Sequence, residues 1–75
     1  MRFDSVDKLL EFLGAFIIMG YNVPFLNINS DMKKRGFTKH IHFYTWKLQF
    51  INENIQLIAT DKKREYVIDI MKGLV

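Results

Sequence analysis

Three groups of side chains have types and spacings that could do chemistry. Lys62, Lys63 and Arg64 follow Asp61 in one run, and Lys33, Lys34 and Arg35 form a second. Cations grouped in this way attract phosphate, most strongly where free backbone amides point the same way. His40 and His42 stand two residues apart, which on one face of a strand is a spacing that can hold Zn²⁺. No third ligand accompanies them, since Asp31 and Glu53 are the nearest carboxylates in the chain. No metal site and no cofactor is therefore expected. Nor is there a catalytic constellation. The chain lacks Cys, its serines Ser5 and Ser30 suit helix caps, and it has no Gly-rich phosphate loop.

The elements that must position these groups follow from periodicity. Ser5 to Met19 reads as a helix, capped by Asp4 or Ser5 and ended by Gly20. Val6, Leu9, Leu10, Phe12, Leu13, Phe16, Ile17 and Met19 share one side of it, while Ile18 falls in the polar sector without a burial partner. Val23 to Asn29 reads as a short strand, with Pro24 confining it to a sheet edge or to its own first residue. The run Lys33–Arg35 then lies in a connector from Ser30 to Gly36.

His40 to Ile51 carries the strongest strand signal, but its alternation breaks. Ile41 and Phe43 are odd-numbered, whereas Trp46, Leu48 and Phe50 are even-numbered. One extra residue near Tyr44–Thr45, a β-bulge, would return all of them to one face. Asn52-Glu53-Asn54 makes a tight turn into a strand over Ile55–Ala59. A last helix, capped by Thr60 or Asp61, is expected to run to about Lys72, with Tyr66, Val67, Ile68, Ile70, Met71 and Leu74 inward. The order is thus α-β-β-β-α, an α+β fold in which two terminal helices pack on one face of a three-stranded antiparallel sheet. In it Lys62, Lys63 and Arg64 open a helix, where cations cost about 0.3–1 kcal/mol each. Reversing two of them to Glu is therefore expected to stabilise the free protein slightly.

Bulk properties bound the rest. A chain of 75 residues, 49% hydrophobic and without cysteine, is expected to form a single small domain over residues 1–75. Its core must rely on seven Phe, three Tyr and one Trp instead of disulfides. The longest uncharged apolar run, Phe12 to Met19, is too short for a membrane span, which needs about 20 residues. Asp4 and Asp7 close behind Arg2 argue against a signal peptide. A cytoplasmic location without membrane contact is expected. Net charge is +3, mildly basic and compatible with a nucleic-acid partner.

The expected order resembles that of double-stranded-RNA-binding domains, in which a basic loop carries a histidine and a Lys-Lys pair opens the last helix. Gly36 and His40 would stand for that loop, and Lys62 and Lys63 for that pair. Thr60-Asp61 replaces the family's Ser, and Tyr66, Val67 and Ile68 replace its small alanines. The order also resembles that of Hic-type ribonuclease toxins, which use a strand histidine, a role for which the resemblance offers His40 or His42.

Three functional readings follow. The leading one is a non-catalytic regulator or inhibitor docked on a protein partner, with a nucleic-acid-handling protein among the candidates and a homodimer as a further form, and with Ile18, Tyr44 and Lys47 at the interface. Its support is the aromatic content and an open sheet face. The second is an RNA- or DNA-binding module using Lys33, Lys34, Arg35, His40, His42, Lys62, Lys63 and Arg64. It gains weight if the two basic runs share one side. A small ribonuclease-type toxin is the third.

Overall fold

The structure, a computed structural model, describes residues 1–73. It is α+β, with two helices and an antiparallel sheet of four strands. Helix α1 (Val6–Ile18) forms where period and caps place it: Ser5 accepts a hydrogen bond from the Lys8 amide, and Gly20, at φ +92°, lies just past its end. Leu9, Leu13 and Phe16 are buried along one side. Ile17 and Met19, grouped with that side above, are exposed, and Ile18 is 88% exposed.

The next element departs from expectation. Strand β1 is only Tyr21–Asn22, and Phe25–Lys34 is a helix, α2, where a strand over Val23–Asn29 was expected. Pro24 stands at the helix cap position, where a missing amide proton costs nothing because the first helical amides have no carbonyl partner. Ile28 and Met32, one turn apart, are buried on one side of α2. Lys33 and Lys34 lie in the last turn, at the negative end of the helix dipole. Gly36, at φ +68°, turns the chain out of the helix.

Two 3₁₀ turns follow, Phe37–Lys39 and Ile41–Phe43, and strand β2 begins only at Thr45. The break in alternation is therefore a change of element, not a β-bulge. His40 and His42 accordingly lie in turns, not on a strand face. Beyond the break, β2 (Thr45–Ile51) and β3 (Asn54–Thr60) pair around a tight turn at Asn52-Glu53, with Asn52 at φ +57°.

The final helix expected from Asp61 does not form. Glu65–Lys72 is strand β4, paired with β3 from Glu65 to Ile70 and with β1 at Met71 and Lys72. Its side chains alternate: Tyr66, Ile68 and Ile70 are buried, while Glu65, Val67, Asp69 and Met71 are exposed. Leu74 lies outside the described residues. The order along the sheet is β1-β4-β3-β2, and both helices precede the three long strands. The resemblances of element order to double-stranded-RNA-binding domains and Hic-type toxins fall with the last helix.

One sheet face is covered. Trp46, Leu57, Ala59, Tyr66, Ile68 and Ile70 enter a single core cluster with α1, α2 and the 3₁₀ turns, and the opposite face lies open. The centre is aromatic. The Phe37 ring stacks on Tyr44 at 4.1 Å, meets Tyr66 at 5.1 Å and presents its edge to Trp46 at 5.6 Å. Trp46, 3% exposed, donates its indole N–H to the Ile41 carbonyl and receives the Phe3 ring edge-on at 4.9 Å. Edge-to-face pairs add about 0.5–1.5 kcal/mol each beyond burial, and so they supply part of what disulfides would give a chain this small.

Candidate functional site

Asp61–Arg64 forms the loop between β3 and β4, and its geometry is set by its own acid. One Asp61 carboxylate oxygen accepts hydrogen bonds from the amides of Lys63 and Arg64, each at 2.7 Å, and the Asp61 amide donates to the Arg64 carbonyl at 2.9 Å. The Lys63 amide bond, chiefly, holds the Asp61 carboxyl below its ordinary range. Partial desolvation opposes it, while the Arg64 amide and charge and the Tyr44 hydroxyl add to it. Two amides expected to be free for an anion are thus already taken. The cost of cations at a helix start also disappears with the helix, and so does the expected stabilisation on reversing their charge.

The loop is tied to the end of α2. Arg64 donates from Nη1 to the Arg35 carbonyl at 2.7 Å, and the Arg35 guanidinium lies 4.8 Å over the Tyr66 ring. Arg35, the last residue of the first basic run, therefore meets the second run at one end of the sheet. Among the described residues the ion pairs are those of Asp4 with Arg2 and Lys8, so none of these cations is neutralised by a carboxylate within 4.0 Å.

The 3₁₀ turns complete the surface. Phe43 is 66% exposed and stands between two concavities. The larger, about 750 Å³, is lined by Phe43, Thr45, Thr60, Asp61, Lys62 and Lys63. The smaller, about 420 Å³, includes Arg35, Lys39, His40, Phe43, Lys63 and Arg64 in its wall. His40 stacks on the Phe43 ring at 5.3 Å with only 11° between planes, and His42 sits 4.1 Å from the same ring. Residues i and i+3 eclipse in a 3₁₀ turn, and this brings His40 and Phe43 together.

Of the residues singled out in the sequence, Arg35, His40, Lys62, Lys63 and Arg64 gather here. Lys33 and Lys34 are exposed in the last turn of α2 and line neither concavity. Lys39 and Phe43 were missed, because a continuous strand would have turned Phe43 inward. The proposed interface residues scatter. Tyr44 is only 9% exposed and is a core residue stacked on Phe37, which corrects its placement at an interface. Lys47 is exposed on the open sheet face beside Ile58. Ile18 stands apart at the end of α1.

Among the described residues no group of three or more His, Cys, Asp or Glu could hold a metal ion, and no helix is long and apolar enough to cross a membrane. No protein-family model, curated protein or solved structure matches this chain.

Proposed function

We propose that this chain is a non-catalytic nucleic-acid-binding module that grips phosphates with the end of the sheet where α2 meets the β3–β4 loop. The observation that carries this reading is the meeting of Arg35 with the second basic run, with Arg64 bound to the Arg35 carbonyl and, among the described residues, no carboxylate within 4.0 Å of these cations. Unpaired cations on one surface gain by releasing counterions from a phosphate backbone, so affinity falls steeply with salt. Fluorescence anisotropy with labelled oligonucleotides across a salt series tests it. Wild type binds with a negative slope of log affinity against log salt, and K62E/K63E abolishes binding without altering the melting temperature. Unchanged binding by that variant, or none by wild type at physiological salt, defeats the reading. Neither wild type nor the variant with His40 and His42 both replaced by Ala cleaves labelled RNA. Cleavage by wild type alone revives the ribonuclease reading.

A second reading, a regulator docked on a protein partner, rests on the other end of the molecule. Ile18 at 88% exposed and Phe50 at 72% leave large apolar side chains in water there. I18D/F50D abolishes partner capture in that case and leaves nucleic-acid affinity unchanged.

A further inference from the structure

We infer that the strand bound by this surface is single, and that one of its unpaired bases stacks on Phe43. The inference rests on the phosphate-binding reading and adds the ligand's form. A phosphate grip needs cations and donors, and an exposed phenyl ring supplies neither. Its neighbours Phe37 and Ile41, in the same pair of 3₁₀ turns, are buried. Phe43 instead is 66% exposed: His40 and His42 pack against part of its ring, the remainder faces water, and cations stand on both sides, Lys62 and Lys63 across one concavity, Arg35 and Lys39 across the other.

In a duplex the faces of the bases are covered by their neighbours, and only edges and backbone reach a protein. A single strand offers base faces, and an aromatic side chain stacks on any of them. Cations on either side of the ring then meet the phosphates that precede and follow the stacked nucleotide. The floor of the larger concavity carries Thr45 and Thr60, directly opposite each other across β2 and β3. Their hydroxyls both donate and accept, which suits the edge of a base without selecting one.

Short oligouridine and its duplex with oligoadenosine, each end-labelled, are the probes, with wild type, F43A, F43W and K62E/K63E compared by anisotropy at matched salt. Wild type binds the single strand more tightly than the duplex. F43A loses about ten- to a hundredfold in affinity for the single strand, as loss of one base–aromatic stack does. Its duplex affinity stays within twofold and its salt slope is unchanged, while F43W retains single-strand binding. In F43W the new indole is quenched on binding, above a constant background from buried Trp46. Equal losses on both probes, or no loss on the single strand, overturn the stacking inference and leave the phosphate grip standing. Absence of salt-dependent binding by wild type to either probe overturns both.

Discussion

At the end of the sheet formed by Thr45, Thr60 and Glu65, the covered face lies beneath the two 3₁₀ turns, and the chain adds cations around one exposed ring. At the opposite end, where Ile51 and Asn54 close the other hairpin, no such cover extends over β2. Phe50 there shares a sheet face with Trp46, yet it is 72% exposed where Trp46 is buried. Helix α1 begins near Trp46, which Phe3 contacts, and finishes near β1 and the end of β4, leaving Ile18 outside. The same strands thus carry a well-packed charged end and a loosely covered apolar one. Packing supports the charged surface: Phe37, Tyr44 and Tyr66 lie directly beneath Arg35 and the β3–β4 loop.

The largest expected effect divides the two ends by stability. Phe37→Ala and Trp46→Ala each destabilise the fold by about 3–5 kcal/mol in denaturant titrations, as buried aromatic truncations do. Phe50→Ala changes it by no more than about 0.5 kcal/mol. Equal effects would mean that something covers the apolar end in solution. The next division is by binding: K62E/K63E abolishes nucleic-acid affinity, and I18D/F50D leaves it alone. Loss in both would make the surface continuous between the ends.

Two smaller effects concern pH, both at the charged end. Burial pushes the Tyr66 hydroxyl above its ordinary value of 10.0, with Asp31 adding to the shift and Arg35 opposing it. A raised folded-state value means that Tyr66 contributes stability in full below pH 10.0 and loses it as pH climbs through the folded value. Arg35→Ala moves the tyrosinate absorbance midpoint of Tyr66 further up. A midpoint that stays or falls would show that the guanidinium does not sit over the ring. For Asp61 the sign reverses. Its depressed value means that its contribution is complete above pH 3.8 and disappears as pH falls through the folded value. Hydrogen exchange of the Lys63 and Arg64 amides follows that loss, and D61A accelerates it at neutral pH.

How much of this was legible depends on how many faces an element buries. Helix α1 has a capped start, a glycine stop and a polar side, so its period is clear. β4 has apolar residues on both faces, because Val67 and Met71 sit on the open one. Tyr66, Val67 and Ile70 then fit a helical side as well as a strand, although β-branched Val67, Ile68 and Ile70 favour the strand. Among the described side chains of α2, Ile28 and Met32 mark the buried side, and Pro24 and two asparagines obscure it. The break near Tyr44 was visible as a parity change, but parity alone does not distinguish an added residue from a new element. The meeting of Arg35 with Arg64 was not legible at all, because it depends on tertiary packing around Phe37.

The pairing of β1 with β4 has a consequence for the order of assembly. β2, β3 and β4 follow one another through turns at Asn52-Glu53 and Asp61–Arg64, so each pairing closes a short loop, and such hairpins form in about 1–10 μs. Tyr21 and Asn22 must instead find Lys72 and Met71 across most of the chain, and the entropy of closing that loop falls due before its few contacts repay it. The meander is therefore expected to form while the amino-terminal segment is still searching, with β1 joining last. Truncations at Tyr21 then chiefly speed unfolding and leave the folding rate nearly unchanged.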